Sequence, residues 1–226
     1  MKRLQRVLAG LSLLSAAFAA PVGAQELADY DYANLSFRGI GIDWGYIWPS
    51  KVESTQAYSL RIDLGYLGPG IRIAPVLSYW NSQVKDSELQ RFADQLNRLE
   101  ALRGRGVEIE AAELGEIDYS DLSLMVDAHV VWNTPVALLT YVGAGVGVHA
   151  LNGRGDAIAD TFVEDLLDST TAAAAIMAGV EGEVFPSLRI YGEARYTLMS
   201  DVRYPGFRVG ASFMVPRPTA QSGVIR

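Results

Sequence analysis

The sequence predicts an all-β protein: an eight-stranded, antiparallel, up-and-down transmembrane β-barrel with short helices in two external loops. Three observations predict it. Hydrophobicity alternates with period two over eight stretches, the links between those stretches alternate short and long, and the chain opens on an export signal.

The export signal comes first in the chain. Lys2, Arg3 and Arg6 precede an apolar run from Leu8 to Ala20, and Val22, Gly23 and Ala24 supply the small residues of a cleavage site before Gln25. The run is shorter than the ~20 residues of a membrane-spanning helix and ends at Pro21. Residues 1–24 are therefore expected to be a removable signal peptide, 25–216 the barrel and 217–226 a C-terminal tail. Removing residues 1–24 takes away three positive charges and no negative one, so the formal charge moves from −7 to −10. An acidic exported chain is unsuited to nucleic acid, whose phosphates require clustered Lys and Arg. Cysteine is absent from the sequence, which excludes disulfides and thiolate metal sites.

The period is clear from Tyr58 to Tyr66, where Tyr58, Leu60, Ile62, Leu64 and Tyr66 alternate with Ser59, Arg61, Asp63 and Gly65. It recurs where Leu122, Leu124, Val126, Ala128, Val130 and Trp132 alternate with Asp121, Ser123, Asp127 and His129. Further on, Leu188, Ile190, Ala194 and Leu198 alternate with Arg189, Tyr191, Glu193 and Arg195, and Phe207, Val209, Ala211 and Phe213 with Arg208, Gly210 and Ser212. The eight segments run over 34–48, 56–67, 70–82, 118–132, 136–150, 171–185, 188–201 and 204–215, each meeting the ~9–11 residues that a tilted membrane strand needs. Residues 128–150 could also be read as one transmembrane helix. However, Asn133-Thr134-Pro135 interrupts them, and three glycines each cost a helix about 1 kcal/mol, so a hairpin fits better.

Leu67-Gly68-Pro69-Gly70, Asn133-Thr134-Pro135 and Pro186-Ser187 predict tight turns, whereas the links 83–117 and 151–170 are long. In the first long link, Leu89, Phe92, Leu96 and Leu99 share a helix face, with Ser87 and Gln90 available as a capping box and Gly104 as a stop. In the second, Ile158, Phe162 and Leu166 share a face behind Asp156 as N-cap. Outer-membrane barrels carry short periplasmic turns and long external loops, and this sets the expected orientation.

That threading sorts the aromatic residues by depth. Trp44, Tyr46, Trp48, Tyr58, Tyr79 and Tyr196, with Tyr119 and Tyr204, fall near the external interface; Tyr66, Trp132, Phe185 and Phe213 fall near the periplasmic one. The polar faces carry Asp43, Arg61, Asp63, Arg72, Asp127, His129, Glu181, Glu183, Glu193, Arg195 and Arg208. Alternation alone does not distinguish inside from outside. Charges of both signs with Arg rather than Lys suit a salt-bridged lumen better than a solvated skin.

The stretch YVGAGVGVHA, residues 141–150, spaces Gly143, Gly145 and Gly147 as GxGxG within a strand, without the strand-turn-helix setting of a dinucleotide loop. Gly39, Gly41 and Gly45 repeat the habit. These inward glycines are expected to make room for arginines opposite.

The strands "TYVGAGVGV", "LRIYGEARY" and "FRVGASF" resemble the outer-membrane β-barrel domain family, the small eight-stranded barrels related in architecture to OmpA, OmpX and OmpW, over residues 30–216. The resemblance implies outer-membrane lipid and the barrel assembly machinery as partners. Phe213 resembles the terminal aromatic which that machinery reads, although here residues 214–226 follow it. Family roles extend from passive structure and adhesion to channels for small apolar molecules and lipid-modifying enzymes.

The remaining motifs are weak. His129 and His149 have lumenal parity, and no serine is tied to either by a recognisable motif; two histidines without cysteine do not make a transition-metal site. Arg154-Gly155-Asp156 reads as a turn into a helix cap, and the acidic set Asp160, Glu164, Asp165 and Asp168 reads as a solvated loop face. The expectation is a non-enzymatic outer-membrane barrel without cofactor, with a filled polar lumen and a structural or surface-interaction role, any extracellular ligand being met by loops 83–117 and 151–170. The alternative is a narrow passive channel for small or apolar solutes.

Overall fold

The computed structural model describes residues 35–68, 70–102, 115–136, 138–155, 168–200 and 202–215. The expected signal peptide, the tail 217–226, Gly104, Asp156 and the second loop helix lie outside these residues, as do the side chains of Leu96 and Leu99.

The elements in chain order are β1 (Gly39–Ile47), β2 (Thr55–Asp63), β3 (Tyr66–Gly68), β4 (Ile71–Gln83), α1 (Asp86–Leu102), β5 (Asp118–Asn133), β6 (Leu138–Arg154), β7 (Ser169–Phe185), β8 (Leu188–Met199) and β9 (Arg203–Met214). Each strand pairs antiparallel with its neighbours in the order β2-β1-β9-β8-β7-β6-β5-β4-β3, and β2 also pairs with β4. Because β2 and β3 are two parts of one stave, the sheet is a closed barrel of eight staves. First and last strands seal it over nine residue pairs, from Gly39↔Met214 to Ile47↔Gly206. Closure leaves no unpaired edge, the condition for placing strands in hydrocarbon.

The broken second stave departs from the sequence reading. Gly65 takes a φ of 75°, its N–H donates to Asp63 Oδ1 at 2.7 Å, and pairing resumes at Tyr66↔Arg72. A slip of one residue turns every later side chain to the other face. Tyr66, expected in the periplasmic girdle, is therefore inside the barrel, 3% exposed, with Arg38 stacked on its ring at 4.8 Å.

Elsewhere the alternation is converted into a skin and a core. Ile42, Leu124, Val146, Ile176 and Ile190 lie outward and exposed, while Asp127, His129 and Glu193 are fully buried inside. This is the reverse of a soluble barrel, since water would solvate the charges and lipid solvates the apolar skin. No helix among the described residues is long and apolar enough to cross a membrane.

The strands β5, β6 and β7, with 16, 17 and 17 residues, exceed the membrane requirement. The fifth segment, expected to end at 150, continues to Arg154 by pairing Leu151–Arg154 with Asp118–Asp121. Loop-like composition at Asn152-Gly153 hides this extension from a periodicity reading.

On that extended mouth sits α1. It begins at Asp86, with the N–H groups of Glu88 and Leu89 both donating to Lys85 O. Ser87 is therefore inside the first turn rather than at the cap. Asp86 and Glu88 favour that end through the helix dipole. Leu89 and Ala93 are buried and Phe92 half-buried, so the apolar face lies against the rim.

Candidate functional site: a charged lumen under an aromatic cap

The inward positions of eight staves converge on a bore narrow enough to be filled by side chains. Three layers fill it, each set by strand register.

Near the short-turn mouth, Arg72 donates through Nη1 to Glu181 Oε2 at 2.7 Å and faces Asp63 at 3.9 Å. Glu181 also accepts from Arg189 at 3.0 Å. Arg72 Nε lies 3.4 Å from His129 Nδ1, and the His129 ring packs on Tyr141 with centroids 4.6 Å apart. Glu183 has the parity of this layer but sits at the rim, its side chain 53% exposed and 3.7 Å from Arg189. It lies near the end of β7, paired with Arg189 at the register irregularity before Phe185, so it belongs to the mouth rather than to the interior network.

The middle layer centres on Glu193, which is fully buried. Arg61 reaches across the bore to Glu193 Oε2 at 2.5 Å, and Tyr141 Oη donates to the same oxygen at 2.9 Å. Arg195 and Arg208 each stand 3.5 Å from Glu193 Oε1, close enough for attraction though beyond a well-formed hydrogen bond. Arg195 also grips Asp127 in a two-bond fork at 2.6 and 2.8 Å. Asp43 accepts from Tyr191 Oη at 2.7 Å and faces Arg208 at 3.6 Å, while Arg61 stacks on the Tyr191 ring at 4.4 Å. Fork geometry and ring stacking explain why this core uses arginine.

The third layer pairs His149 Nδ1 with Asp121 Oδ2 at 2.7 Å. Above it, Trp80 meets Tyr204 edge to face at 6.0 Å and Tyr119 at a tilt at 6.3 Å, and the three pack with Ile47, Val52, Leu151 and Val202. Tyr119 and Tyr204, expected at the external interface, do lie at that end but point inward and close the bore. Trp80 was not singled out in the sequence, although its parity matches Ser78 and Asp121 opposite.

The glycines serve the neighbouring strand. A Cβ on Gly143 would strike His129, one on Gly145 would strike Asp127, and one on Gly147 would strike Met125. Gly179 lies under the Tyr141 ring and Gly210 under Tyr191. At Gly45 the neighbour is the stem of Arg208, and Gly39 and Gly41 line the small space beside Arg61 and Arg72, whereas Gly143, Gly145 and Gly147 make room for His129, Asp127 and Met125 rather than for arginines.

The girdle residues outside Tyr66 face outward. Trp44, Tyr46, Trp48, Tyr58, Tyr79, Phe185 and Phe213 are exposed, and Trp132 and Tyr196 half-buried. Gln56 ties the Trp44 indole N–H and the Tyr58 hydroxyl together at 3.1 and 2.9 Å, and Tyr46 and Trp48 meet edge to face at 5.4 Å.

The space left among the lumen charges is ≈ 10 Å³ beside Arg61, Arg72 and Glu181 and ≈ 20 Å³ beside Arg195 and Arg208, about one water each. A larger cavity of ≈ 490 Å³ lies between α1 and the cap.

No protein-family model and no curated protein matches the chain. Among solved structures it is similar to Neisserial surface protein A, at 16% identity over 79% of this chain and 97% of that one, with a TM-score of 0.49. It is also similar to outer membrane protein H of P. aeruginosa, at 15% identity over 80% and 100% with a TM-score of 0.46, and to the attachment invasion locus protein of Yersinia pestis, at 13% over 80% and 100% with a TM-score of 0.45. The closed ring of eight staves, the apolar skin and the charged bore give this chain the fold of an eight-stranded outer-membrane β-barrel.

Proposed function

We propose that the protein is a non-enzymatic outer-membrane barrel whose lumen is a structural core and whose working surface is the long-link mouth, where it meets partners outside the cell. The observation that carries this reading is the Arg61–Glu193 pair at 2.5 Å, a bond across the bore between residues 132 apart in sequence. Arg195–Asp127 beside it and Arg72–Glu181 toward the short-turn mouth support the reading of a filled bore. A buried pair of this kind strongly resists the loss of one partner, typically by about 3–5 kcal/mol, which suits a permanent plug. Both histidines are sunk within this core, at 0% and 2% exposure, out of reach of a substrate at the mouth. Outer-membrane lipid, held by the aromatic belt, and the barrel assembly machinery complete the set of partners.

The test is ion conductance of the refolded mature protein in a planar bilayer, with Arg61→Ala alongside. The expected result is no steady conductance in the unaltered protein. Discrete steps in that protein, widening in Arg61→Ala, would instead make it a narrow passive channel.

A further inference from the structure

Among the described residues, the cavity under α1 is a concave space on the long-link mouth whose walls are built from several elements at once. Its floor is the outer surface of the aromatic cap: Val52, Ile117, Tyr119 and Val202. One wall is the inner face of α1, through Leu89 and Phe92. At ≈ 490 Å³ it is within the range of small-molecule sites, which pair an apolar lining with a few placed polar groups.

The polar groups are unequal in sign. Lys51, Arg91 and Glu88 stand at its edge, and Arg91 is engaged with Glu88 within α1. Lys51 is exposed and, among the described residues, makes no ion pair. Its backbone is nevertheless held in place, because Lys51 O accepts from Lys85 N at 3.1 Å and the Lys85 ammonium binds Pro49 O at 2.9 Å. Among the described residues, a fixed lip therefore presents one positive charge without an ion-pair partner above an apolar floor.

We propose that this cleft binds a small amphipathic anion, an aryl or alkyl carboxylate, with its apolar body against Phe92, over Val52, Leu89 and Val202, and its carboxylate at Lys51. The proposal rests on the reading of this mouth as the working surface. It assigns no role to the lumen, which stays closed beneath the Trp80 and Tyr204 rings. Burying the hydrocarbon on the floor supplies most of the affinity. The lip charge supplies the preference for an anion, about fivefold at most for a pair that stays in contact with water.

The experiment uses full-length mature protein, methyl-labelled in lipid nanodiscs and titrated with 4-phenylbutyrate or its uncharged counterpart 4-phenylbutanol. The expected outcome is a saturable shift of the Val52, Leu89, Ile117 and Val202 methyl signals. It should be about fivefold tighter for the carboxylate than for the alcohol, and Lys51→Gln should erase that preference without altering the spectrum of the lipid-facing strands. Absence of saturation up to the solubility limit would overturn the proposal. So would shifts confined to outward methyls such as Val146, which would mean partition into the bilayer. Equal binding of acid and alcohol, unmoved by Lys51→Gln, would overturn the anionic class. Conductance is read separately: a conducting barrel would sink the functional reading and still leave this titration to judge the cleft.

Discussion

At the scale of single residues, the lumen is decided by which side chain faces which vacancy. Gly145 lies opposite Asp127, and any Cβ there meets the carboxylate that holds Arg195. Gly145→Leu is therefore expected to destabilise the protein by about 3 kcal/mol, through overpacking and loss of a buried pair. Gly192 is the contrast, since a Cβ there touches only the Phe207 ring at 3.6 Å on the lipid side. Gly192→Ala should stay within about 0.5 kcal/mol of the parent. Urea unfolding of both variants in lipid vesicles checks the pair, and equal losses would disprove the packing argument. Parity in the sequence placed most of these polar residues on one face. Which glycine receives which neighbour depended on register, a property of two strands together.

At the scale of elements, the two surprises have local causes. The broken stave follows from Gly65, whose positive φ is open to glycine at little cost and whose N–H is satisfied by Asp63. The sequence shows uninterrupted alternation through Tyr66, so the slip becomes visible only once β4 supplies the partner Arg72. The helix α1 was legible from Leu89 and Phe92. Ala93, fully buried at its centre, carries no hydrophobic signal strong enough to mark it. An Ala93→Arg change would place a charge in that contact and is expected to lift α1 from the rim. Limited proteolysis by trypsin should then cut after Arg91 or Arg98 at least severalfold faster than in the parent, with the barrel strands intact. An unchanged rate would show that the helix does not depend on this contact.

At the scale of the whole molecule, the decisive property is its reversed polarity. Val146 lies outward near the middle of β6, 66% exposed. Val146→Arg is expected to cost about 2–4 kcal/mol of folding stability in a bilayer, as charges do at the midplane of such barrels, whereas a water-facing position would tolerate it. Folding titrations into vesicles measure this directly, and a cost below about 0.5 kcal/mol would contradict a lipid-facing skin. The sequence by itself determined the number of staves, the alternation and the sidedness of the links. These depend on a period of two and on turn chemistry, both of which are local. Only the tertiary structure decided that Tyr66 turns inward, that Arg61 reaches Glu193, and that Trp80, Tyr119 and Tyr204 close the bore beneath a cleft. Each of these joins residues from different staves, and their meeting depends on register and closure, which alternation along one strand does not encode.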